Sequence, residues 1–80
     1  MKCRIKAFGI SREIIGDRIL EIELPNGLPV GDFKNELFLR YPKLRDLRSL
    51  YVAVNNEYAN DEAALHEHDE IALIPPVSGG

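Results

Sequence analysis

Apolar and polar side chains alternate along two stretches near the start of the chain. Residues 2–7 and 20–24 each carry an apolar side chain at every second position, with Lys, Arg or Glu between them. A period of two predicts strands with one buried face. The second strand is expected to stop at the turn formers Pro25, Asn26 and Gly27.

The second half of the chain predicts three more strands. Residues 50–54 are rich in β-branched and apolar side chains, and the Asn55-Asn56 pair after them tolerates the left-handed conformation of a tight turn. Residues 58–59 are expected to return as a very short edge strand. Residues 70–74, apolar after their first position, predict the last strand.

One segment has the period of a helix. Its apolar positions are spaced by three and four residues, and Pro42 forbids continuation. These positions are Val30, Phe33, Leu37, Phe38 and Tyr41. Asp32 and Glu36 lie toward the start and Arg40 at the end, so the charges complement the helix dipole.

Two shorter helical turns are expected beside this helix. Ser11 is a capping residue and Gly16 a typical C-terminal stop, which predicts one turn between them. Residues 60–65 are expected to form another turn, and residues 66–69 a polar turn before the last strand.

The order of two strands, a helix and two or three strands predicts an α+β fold. Its layout is that of a ubiquitin-like β-grasp, with one main helix on a mixed sheet of four to five strands. The domain is expected to span residues 1–74, followed by an extended tail at 75–80 that ends in Gly-Gly.

Composition narrows the class of protein. Eighty residues, 45% of them hydrophobic and 29% charged, fit one folded domain with no room for a separate catalytic one. The single cysteine, Cys3, cannot form an internal disulfide, and on its strand it is expected to behave as a small buried hydrophobe. We find no signal-peptide pattern or run of 18 apolar residues, so a cytoplasmic protein without a membrane partner is expected.

The charged residues are segregated along the sequence. The net charge is -3, yet all ten Lys and Arg lie at or before Arg48, and the residues after it are acidic or uncharged. This distribution argues against nucleic acid as a partner. It predicts that the tail leaves an acidic region and meets a basic protein partner, the alternative being a solvated acidic face.

The tail itself is the candidate site of chemistry. Gly79 and Gly80 lack a Cβ, so together they could enter a channel too narrow for other residues, and the Gly80 carboxylate is unhindered. Pro75 and Pro76 fix φ and lack N–H groups, which predicts a stiff exit from the last strand. The alternative is a frayed end without function.

Four segments resemble one known family. They are residues 12–16 (REIIG), 52–55 (VAVN), 69–74 (DEIALI) and 75–80 (PPVSGG). Together they closely resemble the sulfur-carrying small subunits of molybdopterin synthase, over nearly the whole chain. The sulfur carriers of thiamine thiazole synthesis are similar in fold and also end in Gly-Gly, and they are the runner-up.

This resemblance implies a mechanism centred on Gly80. The α-carboxyl group, with a pKa of about 3.5, is ionised near neutral pH and needs activation. In the family, an adenylating enzyme that uses ATP and Mg converts this carboxylate to an acyl-adenylate, and a sulfur donor protein then yields a thiocarboxylate. The large synthase subunit is expected to receive the tail and to supply the catalytic residues, in a complex of two small and two large subunits.

The resemblance also implies a docking surface. Phe8 and Ile74 are the expected anchors for the large subunit, and Gly79 gives Gly80 access to its active site. The remaining partner-binding positions are Pro75, Pro76, Val77 and Ser78. Read from sequence alone, Phe8 and Ile74 could equally be ordinary core residues.

Other functions and sites remain as alternatives. A ubiquitin-like modifier would form amide bonds to lysines of target proteins, and a plain interaction domain would not need Gly79 and Gly80. No cofactor or metal is expected on this chain, since His66 and His68 lie in a polar turn without a full ligand set. His68 stands where the family commonly has Gly, so it carries some strain if the backbone there needs a positive φ.

Overall fold

Residues 1–76, which the computed structural model describes, form a mixed sheet with two α-helices. The strands are β1 (Lys2–Ala7), β2 (Ile19–Glu23), β3 (Tyr51–Val54), β4 (Glu57–Ala59) and β5 (Ile71–Ile74). The helices are α1 (Gly9–Ile15), α2 (Val30–Arg40) and a short 3-10 helix (Pro42–Asp46). The division into a domain at 1–74 and a tail at 75–80 stays a prediction, because residues 77–80 lie outside the described part.

The sheet has its first and last strands side by side at the centre. Its order is β2-β1-β5-β3-β4, with β1 and β5 parallel and every other neighbouring pair antiparallel. Ile5 pairs with Leu20 of β2 on one side and with Ile71 of β5 on the other. This arrangement confirms the predicted α+β grasp with a mixed sheet and one main helix.

The core lies between α2 and one face of the sheet. Alternate residues of β1 and β5 point into it, and α2 adds Val30, Phe33 and Leu37, all fully buried. Removing this apolar area from water is the main stabilising term for a domain without a disulfide in its described part. Cys3 is buried in the same cluster, which confirms its predicted role as a small hydrophobe.

The first helix begins earlier than its sequence pattern predicts. Ser11 was expected as the cap, but α1 starts at Gly9 and Phe8 is the N-cap residue. The Ser11 hydroxyl donates to the Phe8 carbonyl at 2.6 Å and accepts from the Phe8 N–H at 3.2 Å. Ser11 therefore caps the helix from inside its first turn, and Gly16 ends it at φ 88° as predicted.

The predicted helical turn at residues 60–65 is wrong. The segment forms no helix; it makes a tight turn in which the Ala63 N–H donates to the Asn60 carbonyl at 3.1 Å. Its carbonyls accept hydrogen bonds from the start of α2: the Val30 N–H donates to the Ala63 carbonyl at 2.8 Å, and the Gly31 N–H donates to the Asp61 carbonyl at 2.9 Å. The first amides of a helix have no partner within it, so a neighbouring loop can satisfy them. That tertiary demand outweighs the weak local preference of the segment.

The turns and the short helix complete the outline. Asn55 and Asn56 have φ values of 52° and 70°, which confirms the tight turn predicted between β3 and β4. Pro42 ends α2 as predicted but also begins the 3-10 helix, which the sequence did not indicate. No helix in residues 1–76 has both the length and the apolar character needed to span a membrane.

Candidate functional site at the base of the tail

The parallel pairing of β1 and β5 brings the two predicted anchors together. Ala7 pairs with Leu73, so Phe8 and Ile74 follow side by side as each strand ends. Phe8 is 49% exposed and Ile74 half-buried, and both border the same hollow on the sheet face opposite α2. Phe8 is therefore not a core residue, while its role as an anchor stays a prediction.

The solvent-facing side of the sheet carries an apolar surface around these two residues. Tyr51 and Tyr58 are both exposed, and their rings stack at a tilt with centroids 5.6 Å apart. We define the outer patch as Phe8, Tyr51, Ala53, Tyr58, Ala72 and Ile74. Sequence reasoning missed the tyrosines, although the alternation of Tyr51 with buried Val52 could have placed Tyr51 on this face.

A second groove lies on the α1 side of the tail base. It is lined by Phe8, Gly9, Ile10, Arg12, Glu13, Arg48, Ile74, Pro75 and Pro76. We call this set the tail-base groove. Arg12 and Arg48 outnumber Glu13 among its charged side chains, and both are exposed.

The expectation that the tail leaves an acidic region is wrong for its base. Of the acidic residues that precede β5 in sequence, Asp61 and Glu62 lie beside α2 and Glu67 and Asp69 lie at the far end of β5. Glu70 borders the hollow on the outer face and not the tail-base groove. β5 carries the chain from that end to the arginines of the tail-base groove. The charge next to Pro75 is thus set by α1 and by Arg48, which are distant in sequence.

Gly9 and Pro75 are in contact within the tail-base groove. Gly9 has φ +55°, and a Cβ added to it would lie 3.2 Å from the Cγ of Pro75. That separation is shorter than an ordinary van der Waals contact between carbon atoms. The first residue of the predicted tail therefore rests on the one residue type that leaves room for it.

A hydrogen-bonded clasp fixes the opposite end of β5. Asp69 accepts from the His66 N–H at 2.7 Å and from the Asn55 side-chain amide at 3.0 Å, and Asn55 in turn accepts from the Glu70 N–H at 3.0 Å. The hydrogen bond from the His66 backbone, aided by Asn55, lowers the pKa of Asp69 below its ordinary value of 3.8, although partial burial opposes the shift.

His68 lies within this clasp with φ +74°, so the condition for the expected strain is met.

Two other candidates do not form a reactive site. Burial raises the pKa of the Cys3 thiol, so at neutral pH it stays protonated and is a poor nucleophile. Within the part of the chain that the structure describes, no three His, Cys, Asp or Glu side chains are grouped as metal ligands would be. Four predicted site residues, Val77, Ser78, Gly79 and Gly80, lie outside the described residues.

Comparison with known proteins identifies the family. The profile of the ThiS family matches residues 5–80, which is nearly the whole chain. The chain belongs to the ThiS family. Molybdopterin synthase sulfur carrier subunits from Arabidopsis thaliana and Mycobacterium tuberculosis are each 37% identical to it over its full length, and it covers 84% and 99% of those relatives.

Solved structures of similar proteins share the fold. SAMP1 from Haloferax volcanii superposes with a TM-score of 0.83 at 30% identity, over 100% of both chains. A protein assigned as molybdopterin converting factor subunit 1 from Pyrococcus furiosus gives 0.85 at 29% identity, over 96% of this chain and 99% of that one. In a complex of subunits 1 and 2 of the Helicobacter pylori factor, the matching chain gives 0.66 at 26% identity, over 100% of both chains.

Proposed function

We propose that this chain is the sulfur carrier subunit of a molybdopterin synthase. The observation that carries the proposal is 37% identity to the Mycobacterium tuberculosis carrier subunit across the whole chain. The family match runs to residue 80, so it includes the Gly-Gly end as well as the domain. The carriers of thiamine thiazole synthesis are not favoured, because the curated relatives carry the molybdopterin synthase name.

The Gly80 carboxylate is the reacting group in this proposal. One of its oxygens attacks the α-phosphorus of ATP on the activating enzyme, which forms an acyl-adenylate and releases pyrophosphate. Hydrosulfide then adds to the acyl carbon, AMP leaves, and a thiocarboxylate remains. Its sulfur can displace a leaving group from a carbon of a pterin precursor on the large subunit, which gives a thioester. Water then breaks the acyl C–S bond, so the sulfur stays on the pterin and the carboxylate is restored.

The described part of the chain supports a carrier role. Its cysteine is buried and its histidines lie at the end of β5 away from the tail, so neither provides a nucleophile or base beside Pro75. We infer that the acid, base and ATP-binding groups belong to the partner proteins. A small carrier that visits several partners needs a docking surface more than a catalytic centre.

The outer patch provides that docking surface. Exposed aromatic side chains are enriched where proteins bind one another, since they bury a large area at low entropic cost. Phe8 and Ile74 lie where β5 ends and Pro75 begins, so a partner bound there is next to the tail. The Helicobacter pylori complex of subunits 1 and 2 supports a large subunit as one such partner.

Intact-protein mass spectrometry tests the proposal. The chain is incubated with a molybdopterin-synthase adenylating enzyme, ATP, Mg²⁺ and sulfide, and replacement of oxygen by sulfur at Gly80 is expected to add about 16 Da as a terminal covalent modification. A chain that lacks Gly80 is the matched control and should gain no mass. The loaded chain and a large subunit should then convert the pterin precursor, and the carrier should return to its starting mass.

Three results would contradict the proposal. Unchanged mass despite ATP turnover by the activating enzyme would remove the carrier role. Isopeptide-linked species of higher mass would instead assign a protein modifier. Sulfur transfer to a thiazole synthase, with none to a molybdopterin synthase large subunit, would assign the thiamine pathway.

A further inference from the structure

We propose that Gly9 is a positioning residue for the tail. The ring of Pro75 packs against the Cα of Gly9, which carries no side chain, and we call this contact the Gly9 seat. The contact sets the direction in which the chain leaves the domain. The inference rests on the proposed function, because the direction matters only if Gly80 must reach the active sites of other proteins.

The sheet topology creates the contact. β1 and β5 run parallel up to the pair Ala7 and Leu73, and beyond this pair the two segments separate. The segment after β1 turns at Gly9 into α1, while the segment after Leu73 continues through Ile74 to Pro75. The start of α1 is thereby brought against the first residue of the tail.

Comparison of the glycines shows what is special about position 9. Gly9, Gly16 and Gly27 all have positive φ, at +55°, +88° and +86°, so backbone conformation alone favours glycine at each. A Cβ at Gly16 or Gly27 would meet nothing within 4 Å, whereas one at Gly9 would meet Pro75 Cγ at 3.2 Å. The missing side chain makes room for the tail at Gly9, whereas at Gly16 and Gly27 no neighbouring group occupies the space that a Cβ would take.

Pro75 is suited to transmit this contact. Its ring fixes φ and removes the N–H, so Pro75 cannot be held by the hydrogen bonds of a strand. The ring is half-buried against the tail-base groove, which leaves packing to hold it. Gly80 lies five positions beyond Pro75, a reach of at most about 18 Å of extended chain.

A small displacement at Pro75 is expected to impair delivery of Gly80. Misplacing a reacting group by about 1 Å can slow a reaction by about a hundredfold, even when the change is remote from the chemistry. The outer patch does not include Gly9, so docking should persist. The expected signature is a lower kcat for tail adenylation with little change in KM for the carrier.

The test compares Gly9→Ala with Gly16→Ala. Both substitutions place alanine at positive φ in the α1 region, so both should lower the urea midpoint, and the crowding against Pro75 adds to the loss only for Gly9→Ala. With both variants folded, kcat/KM for pyrophosphate release by the activating enzyme should fall about tenfold for Gly9→Ala and less than about twofold for Gly16→Ala. Equal losses in the two variants would overturn the inference.

A rescue experiment separates positioning from a general effect on α1. Pro75→Ala removes the Cγ that the new Cβ would meet, so in that background Gly9→Ala should cause no further loss of kcat. Such coupling is the sign of a direct contact, whereas strictly additive effects would mean that Gly9 acts elsewhere.

Nuclear Overhauser effects between Gly9 Hα and Pro75 Hγ protons check the seat without any enzyme. They are expected in the wild-type chain, and their absence would overturn the inference whatever the function is. If instead the wild-type chain were never adenylated, the proposed function would fail while the seat could still be observed.

Discussion

At the scale of single residues, backbone strain is concentrated at one non-glycine position. Asn55, Asn56 and His68 are the non-glycine residues with positive φ in residues 1–76, and asparagine tolerates that conformation well. His68 is the one with a larger ring side chain, at φ +74°. The clasp of Asp69 and Asn55 holds it there, because both neighbouring strands depend on those hydrogen bonds.

Replacing His68 by glycine is therefore expected to stabilise the domain. Glycine adopts positive φ freely, and the gain should be about 0.5 to 1 kcal/mol after its larger entropy in the unfolded chain is subtracted. Urea unfolding measures the change. His66→Gly is the control, since His66 has no positive φ, and it should destabilise; a His68→Gly variant no more stable than the wild type would contradict the prediction.

The clasp also makes stability depend on pH. The pKa of Asp69 is lower in the folded protein than its ordinary 3.8, so its ionised form adds stability above that pH. This contribution is lost as the pH falls below 3.8 toward the lower folded value. Asp69→Ala should cost about 1 kcal/mol at neutral pH and progressively less in acid, because the lost hydrogen bonds are worth less once the carboxyl is protonated.

Urea titrations from neutral pH down to about pH 2 test this dependence. Glu67→Ala in the same loop is the matched control, because its side chain makes no hydrogen bond or ion pair within residues 1–76. A difference between wild type and Asp69→Ala that stayed constant across the range would show that the carboxylate charge is not involved.

Some residue-scale features could be predicted and others could not. The Asn55-Asn56 turn and the burial of Cys3 follow from local patterns, since each depends on a residue and its near neighbours, whereas the positive φ at His68 was indicated by the family's glycine at that position. The Gly9 seat does not, because its partner Pro75 lies at the other end of the sequence. A glycine that needs positive φ and one that needs empty space look the same in a sequence.

At the scale of elements, α2 shows how burial divides one helix. Leu37 is fully buried against the sheet, while Leu39 of the same helix is 79% exposed. Both are leucines at interior helical positions, so helix propensity does not distinguish them. The difference is packing alone.

Truncating these two leucines should have very different effects. Leu37→Ala is expected to lower the free energy of unfolding by about 3 kcal/mol, from lost burial and the cavity left behind. Leu39→Ala should change it by less than about 0.5 kcal/mol. Chemical denaturation measures both, and comparable losses would contradict the position of α2 on the core.

Most elements could be read from periodicity, and the failures share a cause. Strands and α2 have clear periods of two or of three and four, which report the side of each element that is buried. Residues 60–65 have no such pattern, and their non-helical form lets their carbonyls accept from the Val30 and Gly31 amides. The sequence of residues 60–65 does not show that the first amides of α2 need hydrogen-bond acceptors from this segment.

At the scale of the whole molecule, the two faces of the sheet have different tasks. One face packs on α2, and the other carries the outer patch beside the tail. The family resemblance correctly suggested Phe8 and Ile74 as neighbours of the tail base. The distribution of charge along the sequence misjudged the charge there, since sequence neighbours of β5 were taken for spatial neighbours of Pro75.

The two faces should respond differently to truncation. Phe8→Ala is expected to weaken binding to a molybdopterin synthase large subunit by about thirtyfold, the effect of losing a central aromatic anchor. Its stability should fall little, because Phe8 is 49% exposed and its capping role uses backbone groups.

Isothermal titration calorimetry measures the affinity. Leu39→Ala, which removes an exposed leucine from the opposite side of the molecule, should bind as the wild type does. If the Leu39 variant lost as much affinity as the Phe8 variant, docking would involve the helical side.

The central place of β5 links integrity of the domain to presentation of its end. β5 is the last strand within residues 1–76, yet it lies between β1 and β3 and buries Ile71 and Leu73. The sheet cannot close before β5 has been synthesised, and a protease that cut ahead of Ile71 would detach the strand that joins β1 to β3. Carriers damaged or unfinished at this end would therefore be unfolded molecules, removed by quality control before they could compete for an activating enzyme.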